Sequence, residues 1–166
     1  MPEASARITV PASVERAWDF AADVRNAPLW VSGVRQVSGD LGQPLRPGDR
    51  LQVRLVAGGK VADSVWEIDA SERPDFLSSH GRALGAHAFL HIACQPRGPR
   101  LTEVLYQITY QLPGGPLGAL AARLGVQGVL ELQARRSLRT LRRLLRNQAQ
   151  PRPQEAHLEP GEARTR

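Results

Sequence analysis

The most informative part of this sequence is residues 116–145, which read PLGALAARLGVQGVLELQARRSLRTLRRLL. Proline is tolerated in the first turn of a helix, where its missing N–H would have no partner, so Pro116 favours a helix start. The apolar residues after it recur mostly at steps of three and four, with one longer step from Leu124 to Leu130, across Gly125 to Gly128. Such spacing gives a single apolar stripe, formed here by Leu117, Leu120, Leu124, Leu130, Ala134, Leu138, Leu141 and Leu145. We therefore predict one long C-terminal helix.

An apolar stripe of this length needs a wide apolar partner, and the preceding strand-like segments are the only candidate. In residues 50–55 and 101–112 apolar and polar side chains alternate, which is typical of strands with one buried face. Two short helical segments follow the first strand, the second interrupted by Pro28. The sequence predicts an α+β fold in which a curved antiparallel sheet of about seven strands wraps around the long C-terminal helix. A cavity would lie between them.

The last two strands offer a test of register. With a turn at Pro96–Arg100, Leu90 would lie opposite Tyr106 and Ile92 opposite Val104. The apolar faces of both strands then coincide, as a sheet with one buried face requires.

Composition restricts the class of protein. The chain has 166 residues, 42% of them apolar and 23% charged, which suits one globular domain. No apolar run is long enough for a membrane span, and residues 1–10 lack a secretory pattern, so we expect a cytoplasmic protein. The single cysteine, Cys94, cannot form an internal disulfide.

The net charge of +6 is concentrated at the C-terminal end. Residues 135–166 contain nine arginines against three glutamates, whereas the remainder is balanced. Residues 148–166 are rich in Pro, Gln, Glu and Arg with almost nothing apolar, and we expect a disordered tail there. The folded domain would then cover residues 1–147.

Four pieces of sequence carry a resemblance to a known family. They are Ile8–Val14; Ala17–Asp23 with Asn26, Pro28 and Trp30; Gly42–Arg50 with Trp66–Ile68 and Arg73-Pro74; and Thr102–Tyr110 with Leu112–Gly115 and the helix ending at Leu145. In order and spacing this chain resembles the START-like, or Bet v 1-like, helix-grip superfamily (SRPBCC). More narrowly it is similar to the polyketide cyclase/dehydrase branch.

The resemblance implies that a small hydrophobic or amphipathic molecule binds in a cavity between sheet and C-terminal helix. No cofactor is implied. The superfamily contains carriers, cyclases, isomerases and inert binders, so polyketide cyclase/dehydrase-like activity stays open. Trp30 would form a lip at the cavity entrance.

Strand parity and the helical stripe predict the side chains that would line the cavity. With Trp30, these ligand-binding candidates are Val53, Leu55, Trp66, Ile68, Leu90, Ile92, Val104, Tyr106, Ile108, Tyr110, Leu130 and Leu138. Tyr106 and Tyr110 are the candidate catalytic acids, since a phenol can donate a hydrogen bond or a proton to a ligand carbonyl. The alternative is that both tyrosines pack as ordinary core residues.

Metal chemistry is not expected. His87 and His91 share one strand face, but Cys94 has the opposite parity, so these side chains cannot converge on one ion. Cys94 is better explained as a small buried residue.

Arginines dominate the end of the last helix. Arg135, Arg139, Arg142 and Arg146 share a helical face, with Arg136 and Arg143 beside it. This face suggests an alternative function, an interaction module that docks to an anionic membrane, to nucleic acid or to a protein. The simpler interpretation is a solvated face, because no aromatic residues alternate with the arginines. A homodimer also stays open.

Overall fold

The computed structural model describes residues 3–39, 42, 44–57, 59–83, 85–111, 115 and 125–149. Within these ranges the elements in chain order are β1 (Glu3–Val10), α1 (Val14–Ala21), a 3-10 helix (Val24–Asn26), α2 (Ala27–Trp30), β2 (Val34–Gly39), β3 (Arg50–Ala57), β4 (Lys60–Glu72), β5 (Phe76–Ala83), β6 (Ala86–Gly98), β7 (Leu101–Gln111) and α3 (Val126–Ala149).

The strands form one seven-stranded antiparallel sheet in the order β1-β7-β6-β5-β4-β3-β2. Each strand from β2 to β7 pairs with its neighbour in sequence, and β1 joins the sheet beside the last strand. The predicted helix-grip fold is confirmed: an α+β architecture with a curved sheet, two short α-helices after the first strand and a long C-terminal helix.

Local sequence signals account for the two short helices. The Ser13 side chain accepts a hydrogen bond from the Arg16 backbone N–H, which caps the start of α1. Asp23 caps the 3-10 helix in the same way through the N–H of Arg25. Pro28 falls in the first turn of α2, where it costs no helical hydrogen bond. The predicted interruption is therefore a junction between two short helices.

A β-bulge resolves an irregular spacing in the sequence. Val34 and Val37 are three residues apart, which would place them on opposite faces of a regular strand. In the structure Val34 pairs with Leu55 and Val37 with Val53, because Arg35 is an extra residue on β2. Both valines therefore face the same side of the sheet.

The predicted register of the last hairpin is wrong by two residues. Leu90 lies opposite Ile108, and Ile92 opposite Tyr106. The physical reason is that β6 continues past Pro96 through a bulge to Gly98, which leaves only a two-residue turn before β7. A shift of two keeps the faces, so the predicted inward set still points inward.

The predicted helix boundaries also need correction. Gly125 has φ of 67°, a left-handed conformation incompatible with a continuous helix, so α3 begins at Val126. Residues 116–124, the first part of the predicted stripe, lie outside the described residues. At the other end α3 continues to Ala149, two residues into the predicted tail, and residues 150–166 are likewise outside the described ranges.

The apolar stripe of α3 forms the centre of the core. Ala134, Leu138, Leu141 and Leu145 are each 1% exposed or less, and the helix packs against β1 with smaller contacts to α2 and β7. Burying one leucine side chain contributes about 1.5–3 kcal/mol, so this stripe holds the helix on the sheet.

None of the helices that the structure describes is both long enough and apolar enough to cross a bilayer.

Candidate functional site

The inner face of the sheet is less completely buried near the C-terminal end of β7. Ile108 pairs with Leu90 on β6, and Tyr110 pairs with Ala88. Leu90, Ile108 and Tyr110 are partly exposed although they pack against the core. We call Leu90, Ile108 and Tyr110 the inner patch.

Trp30 connects this inner face to α2. Its side chain is buried, and its ring meets that of Tyr106 edge to face with centroids 5.9 Å apart. The segment after the helix is fixed as well, because the N–H of Ser32 donates a 2.8 Å hydrogen bond to Oγ of Ser137 on α3. Trp30 is thus held between the short helices and the sheet.

The indole N–H of Trp30 has no acceptor among the described residues. Nε1 is the one fully buried side-chain polar atom within the described residues that makes no hydrogen bond. Buried polar groups are nearly always paired, so an exception needs an explanation. Because the indole is buried, its N–H is not accessible to solvent in this structure.

The hydroxyl groups of Tyr106 and Tyr110 are also without hydrogen bonds to any described residue. Burial raises the pKa of Tyr110 to about 12. The pKa of Tyr106 is raised further, first by burial and second by the charge that Tyr110 would carry if ionised. Both phenols are therefore neutral at physiological pH, and each can donate one hydrogen bond.

Trp66 presents the opposite case. Its Nε1–H donates a 3.0 Å hydrogen bond to Oγ of Ser64, which in turn donates a 3.1 Å hydrogen bond to the carbonyl of Val53. The indole of Trp66 therefore forms a fixed wall with its polar atom already satisfied.

The predicted lining residues divide into three groups by exposure. The buried group comprises Trp30, Trp66, Ile68, Ile92, Val104, Tyr106 and Leu138. The group that is partly exposed and packed against the core comprises Val53, Leu90, Ile108 and Tyr110. Leu55 and Leu130 are partly exposed and do not join the core cluster.

Three of the predicted lining residues have almost no free surface. Ile68, Val104 and Leu138 are each 2% exposed or less, so they pack solid core in this structure. Their predicted ligand contacts rested on strand parity for Ile68 and Val104 and on the helical stripe for Leu138. Both patterns give the face of an element but not the depth of a side chain. Sequence reasoning also missed Ser79, a buried hydroxyl residue that pairs with Leu90 on the inner face. Its inward parity in β5 was the available signal.

The described inner face carries no carboxylate and no imidazole. His80 binds Asp69 on the outer face, with Nδ1 2.7 Å from Oδ1, and His87 and His91 share that outer parity. No group of three potential metal ligands occurs within the described ranges. Burial raises the pKa of the Cys94 thiol to about 12, so it is a poor nucleophile.

Solved structures of other proteins share this fold over most of the length of the chain. A protein of Thermus thermophilus has a TM-score of 0.72 and 20% identity, and the match covers 90% of this chain and all of that one. The Zhui aromatase/cyclase from a Streptomyces species has a TM-score of 0.73 and 12% identity, covering 89% of this chain and 95% of that one. A START superfamily protein from Mycobacterium smegmatis matches with a TM-score of 0.54 and 16% identity, over 82% and 97%. At these identities the likeness concerns the fold alone.

No curated protein sequence matches the chain. The sequence model of the family described as "Polyketide cyclase / dehydrase and lipid transport", however, matches residues 1–146. That range contains all seven described strands and most of α3. The family match agrees with the observed fold, in which a curved sheet with an apolar inner face packs against a long C-terminal helix. The chain belongs to the polyketide cyclase/dehydrase and lipid transport family.

Proposed function

We propose that this protein binds a small amphipathic molecule between the sheet and the C-terminal helix, with an oxygen atom of the ligand accepting a hydrogen bond from Trp30. The buried, unpaired indole N–H is the observation that carries the proposal. A buried donor left without a partner costs about 1–3 kcal/mol, and a carbonyl or hydroxyl oxygen of a ligand would remove that cost.

The neighbouring groups support the same ligand chemistry. The phenol of Tyr106 contacts the Trp30 ring, and both tyrosine hydroxyls are neutral donors without a described partner. The inner patch supplies apolar surface beside them. A mostly apolar molecule that carries one or two hydrogen-bond-accepting oxygens fits this combination, as polyketides and many lipids do.

Catalysis is the second candidate. In a cyclase or dehydratase, Tyr106 or Tyr110 would act as the acid, donating a proton or a hydrogen bond to a carbonyl as charge develops on its oxygen. A base is also needed to enolise a ketone, and the described inner face offers none. The undescribed residues 116–124 contain no acidic residue or histidine in their sequence. The residues therefore favour binding over proton abstraction.

The test begins with the protein purified from its expression host. Native mass spectrometry should detect a bound small molecule, and an apolar fluorescent dye should be displaced by extracted lipids or by an aromatic polyketide. Trp30→Phe removes the donor but keeps an aromatic ring, so ligand affinity should fall about fivefold to tenfold. Stability should fall as well, because a smaller ring replaces a buried indole.

Trp66→Phe is the matched control. That indole N–H is already bonded to Ser64, so the substitution should lower stability while changing affinity less than Trp30→Phe does. Empty protein together with no dye displacement would contradict ligand binding. Unchanged affinity in Trp30→Phe would contradict the assigned hydrogen bond.

Four sequence predictions stay predictions alongside this proposal. They are the domain boundary near residue 147, a disordered tail, a cytoplasmic location and a homodimer. The proposed binding needs none of them, because Trp30 and the inner patch belong to one protomer.

A further inference from the structure

The outward side of α3 carries six arginines that pair with none of the described residues. Arg135, Arg136, Arg139, Arg142, Arg143 and Arg146 are all exposed, and no guanidinium among them makes an ion pair or hydrogen bond with a residue in the described ranges. We call these six the arginine cluster. No acidic residue occurs anywhere in residues 132–149.

Arginines elsewhere in the chain show that pairing occurs where carboxylates are near. In the part of the chain that the structure describes, the arginines that form ion pairs are Arg7, Arg25, Arg50, Arg54, Arg73 and Arg97. Their charges are largely balanced on the protein itself. The arginine cluster is not balanced, so it produces a local positive field that favours an anionic partner.

Two members of the cluster line a surface groove. Arg136 and Arg139 border a depression of about 530 Å³ between α3 and the segment after α2, and Arg35 completes its basic lining. No acidic side chain is among the described residues around it. Three arginines from two elements therefore line one groove, an arrangement suited to a phosphate group.

Exposed aliphatic side chains accompany these charges. Leu29 lines the same groove and is 58% exposed. On α3, Val129 is 56% and Leu132 45% exposed, and both continue the outward stripe of Arg136 and Arg139 at steps of three and four. A duplex nucleic acid gains little from aliphatic contacts. A bilayer interface accepts both groups, with arginines at the phosphates and aliphatic side chains at the acyl boundary.

We propose that this face docks the protein on a membrane that contains anionic phospholipids, with one headgroup phosphate held among Arg35, Arg136 and Arg139 and with Leu29 inserted beside it. The attachment is peripheral and reversible. Each arginine at the surface contributes about a fivefold gain in association, and the gain falls as salt screens the charges. The proposal is independent of what binds inside the sheet.

Vesicle co-sedimentation tests the proposal with the full chain. Vesicles of phosphatidylcholine alone are compared with vesicles in which about a third of the lipid is phosphatidylglycerol, at low and at physiological salt. We expect binding only to the anionic vesicles and weaker binding as salt rises. The triple variant Arg35→Ala/Arg136→Ala/Arg139→Ala should bind about a hundredfold more weakly.

A matched triple variant controls for total charge. Arg46, Arg82 and Arg100 are exposed and form no ion pair with a described residue, and they lie outside the groove. Arg46→Ala/Arg82→Ala/Arg100→Ala should therefore keep most of the binding. An equal loss in both triple variants would overturn the groove site. Circular dichroism and a thermal melt identify any variant that fails to fold.

Leu29→Ser separates a membrane from other anions, because it leaves the charge unchanged. It should weaken vesicle binding about tenfold and leave binding of soluble glycerol phosphate unaffected. Equal binding to both vesicle types would overturn the proposal. So would tighter, cluster-dependent binding to duplex DNA that ignores Leu29→Ser, which would assign the face to nucleic acid instead.

Discussion

The indole ring of Trp66 lies over the backbone of Gly81, its pairing partner on β5. A Cβ atom at Gly81 would stand 2.6 Å from Cδ2 of Trp66 and 2.7 Å from the carbonyl oxygen of Val65. Contacts this short do not occur between relaxed atoms. Because Trp66 is also fixed by its bond to Ser64, the missing side chain at position 81 is what lets the indole lie flat against the inner wall.

Gly81→Ala should therefore lower the free energy of unfolding by about 1–3 kcal/mol, the usual cost of overpacking a filled site. Denaturant unfolding followed by tryptophan fluorescence measures both the stability and the displacement of Trp66. The control is Gly128→Ala on α3, where an added Cβ meets nothing within 4 Å. There helix propensity should raise stability by about 0.5–1 kcal/mol. Similar effects at both glycines would contradict this account.

Ser137 joins α3 to the segment after α2, and its removal should destabilise the protein. Oγ accepts from the N–H of Ser32 and donates to the carbonyl of Gln133, both at 2.8 Å. Ser137→Ala leaves the Ser32 N–H without its partner, so we expect a loss of about 1–3 kcal/mol in denaturant unfolding.

Thr140→Ala is the comparison for that measurement. Among the described residues, the Thr140 hydroxyl bonds only to the Arg136 carbonyl of its own helix, and the side chain is partly exposed to solvent. Its loss should change stability by less than about 0.5 kcal/mol. A cost at Thr140 equal to that at Ser137 would show that the link between elements is unimportant.

Asp19 on α1 should titrate below its ordinary pKa because of Arg73. The guanidinium donates two hydrogen bonds to the carboxylate, at 2.7 and 2.9 Å. Those bonds, more than the charge of Arg73, lower the pKa of Asp19 from the ordinary value of 3.8. A lowered folded-state pKa means that the contribution to stability is present above the ordinary value and is lost as the pH falls through the folded pKa.

NMR titration of the carboxylates tests this directly. In Arg73→Gln the pKa of Asp19 should return towards its ordinary value. Asp23 is an internal control, since its pKa is lowered by Arg25 and not by Arg73. A pKa of Asp19 that does not change in the variant would contradict the ion pair.

Cys94 should be unreactive while the protein is folded. Its side chain is buried, and burial raises its pKa to about 12, so almost no thiolate exists near neutral pH. A thiol reagent such as dithionitrobenzoate should label the native protein only at the rate of unfolding. In denaturant, labelling should be complete within the mixing time of a bench assay. Rapid labelling of native protein would show that the thiol is exposed.

Much of the fold could be predicted, because the sequence patterns that indicate it tolerate small errors in strand register. Strand alternation predicted the inward faces of β6 and β7 correctly although their register was wrong by two residues, because a shift of two preserves parity. The bulge after Pro96 could not be predicted, because an arginine at the extra position, Arg97, does not by itself indicate a bulge. Gly125 falls in a gap of the apolar stripe, which the sequence shows. Its left-handed conformation could not be predicted, because the backbone conformation of a glycine depends on the residues around it.

The candidate site was less predictable, for a physical reason. Strand parity placed Tyr106, Tyr110 and Val104 on the same inward face. Only the depth of burial separates the two tyrosines from Val104, which has no exposed surface. Depth depends on packing between elements distant in sequence. The unpaired N–H of Trp30 could not be predicted for the same reason, because a missing hydrogen bond depends on all the residues packed around the indole. A tryptophan in the sequence carries no sign of it.

The bulge at Arg35 has a consequence for how the protein behaves at high concentration. β2 is the outermost strand on its side of the sheet, and an outermost strand offers its free N–H and C=O groups to any other molecule. Here that strand is six residues long, is interrupted by the extra residue, and carries a cation at the interruption. Such a break disfavours pairing with the edge strand of a second molecule, so we expect little aggregation through β2.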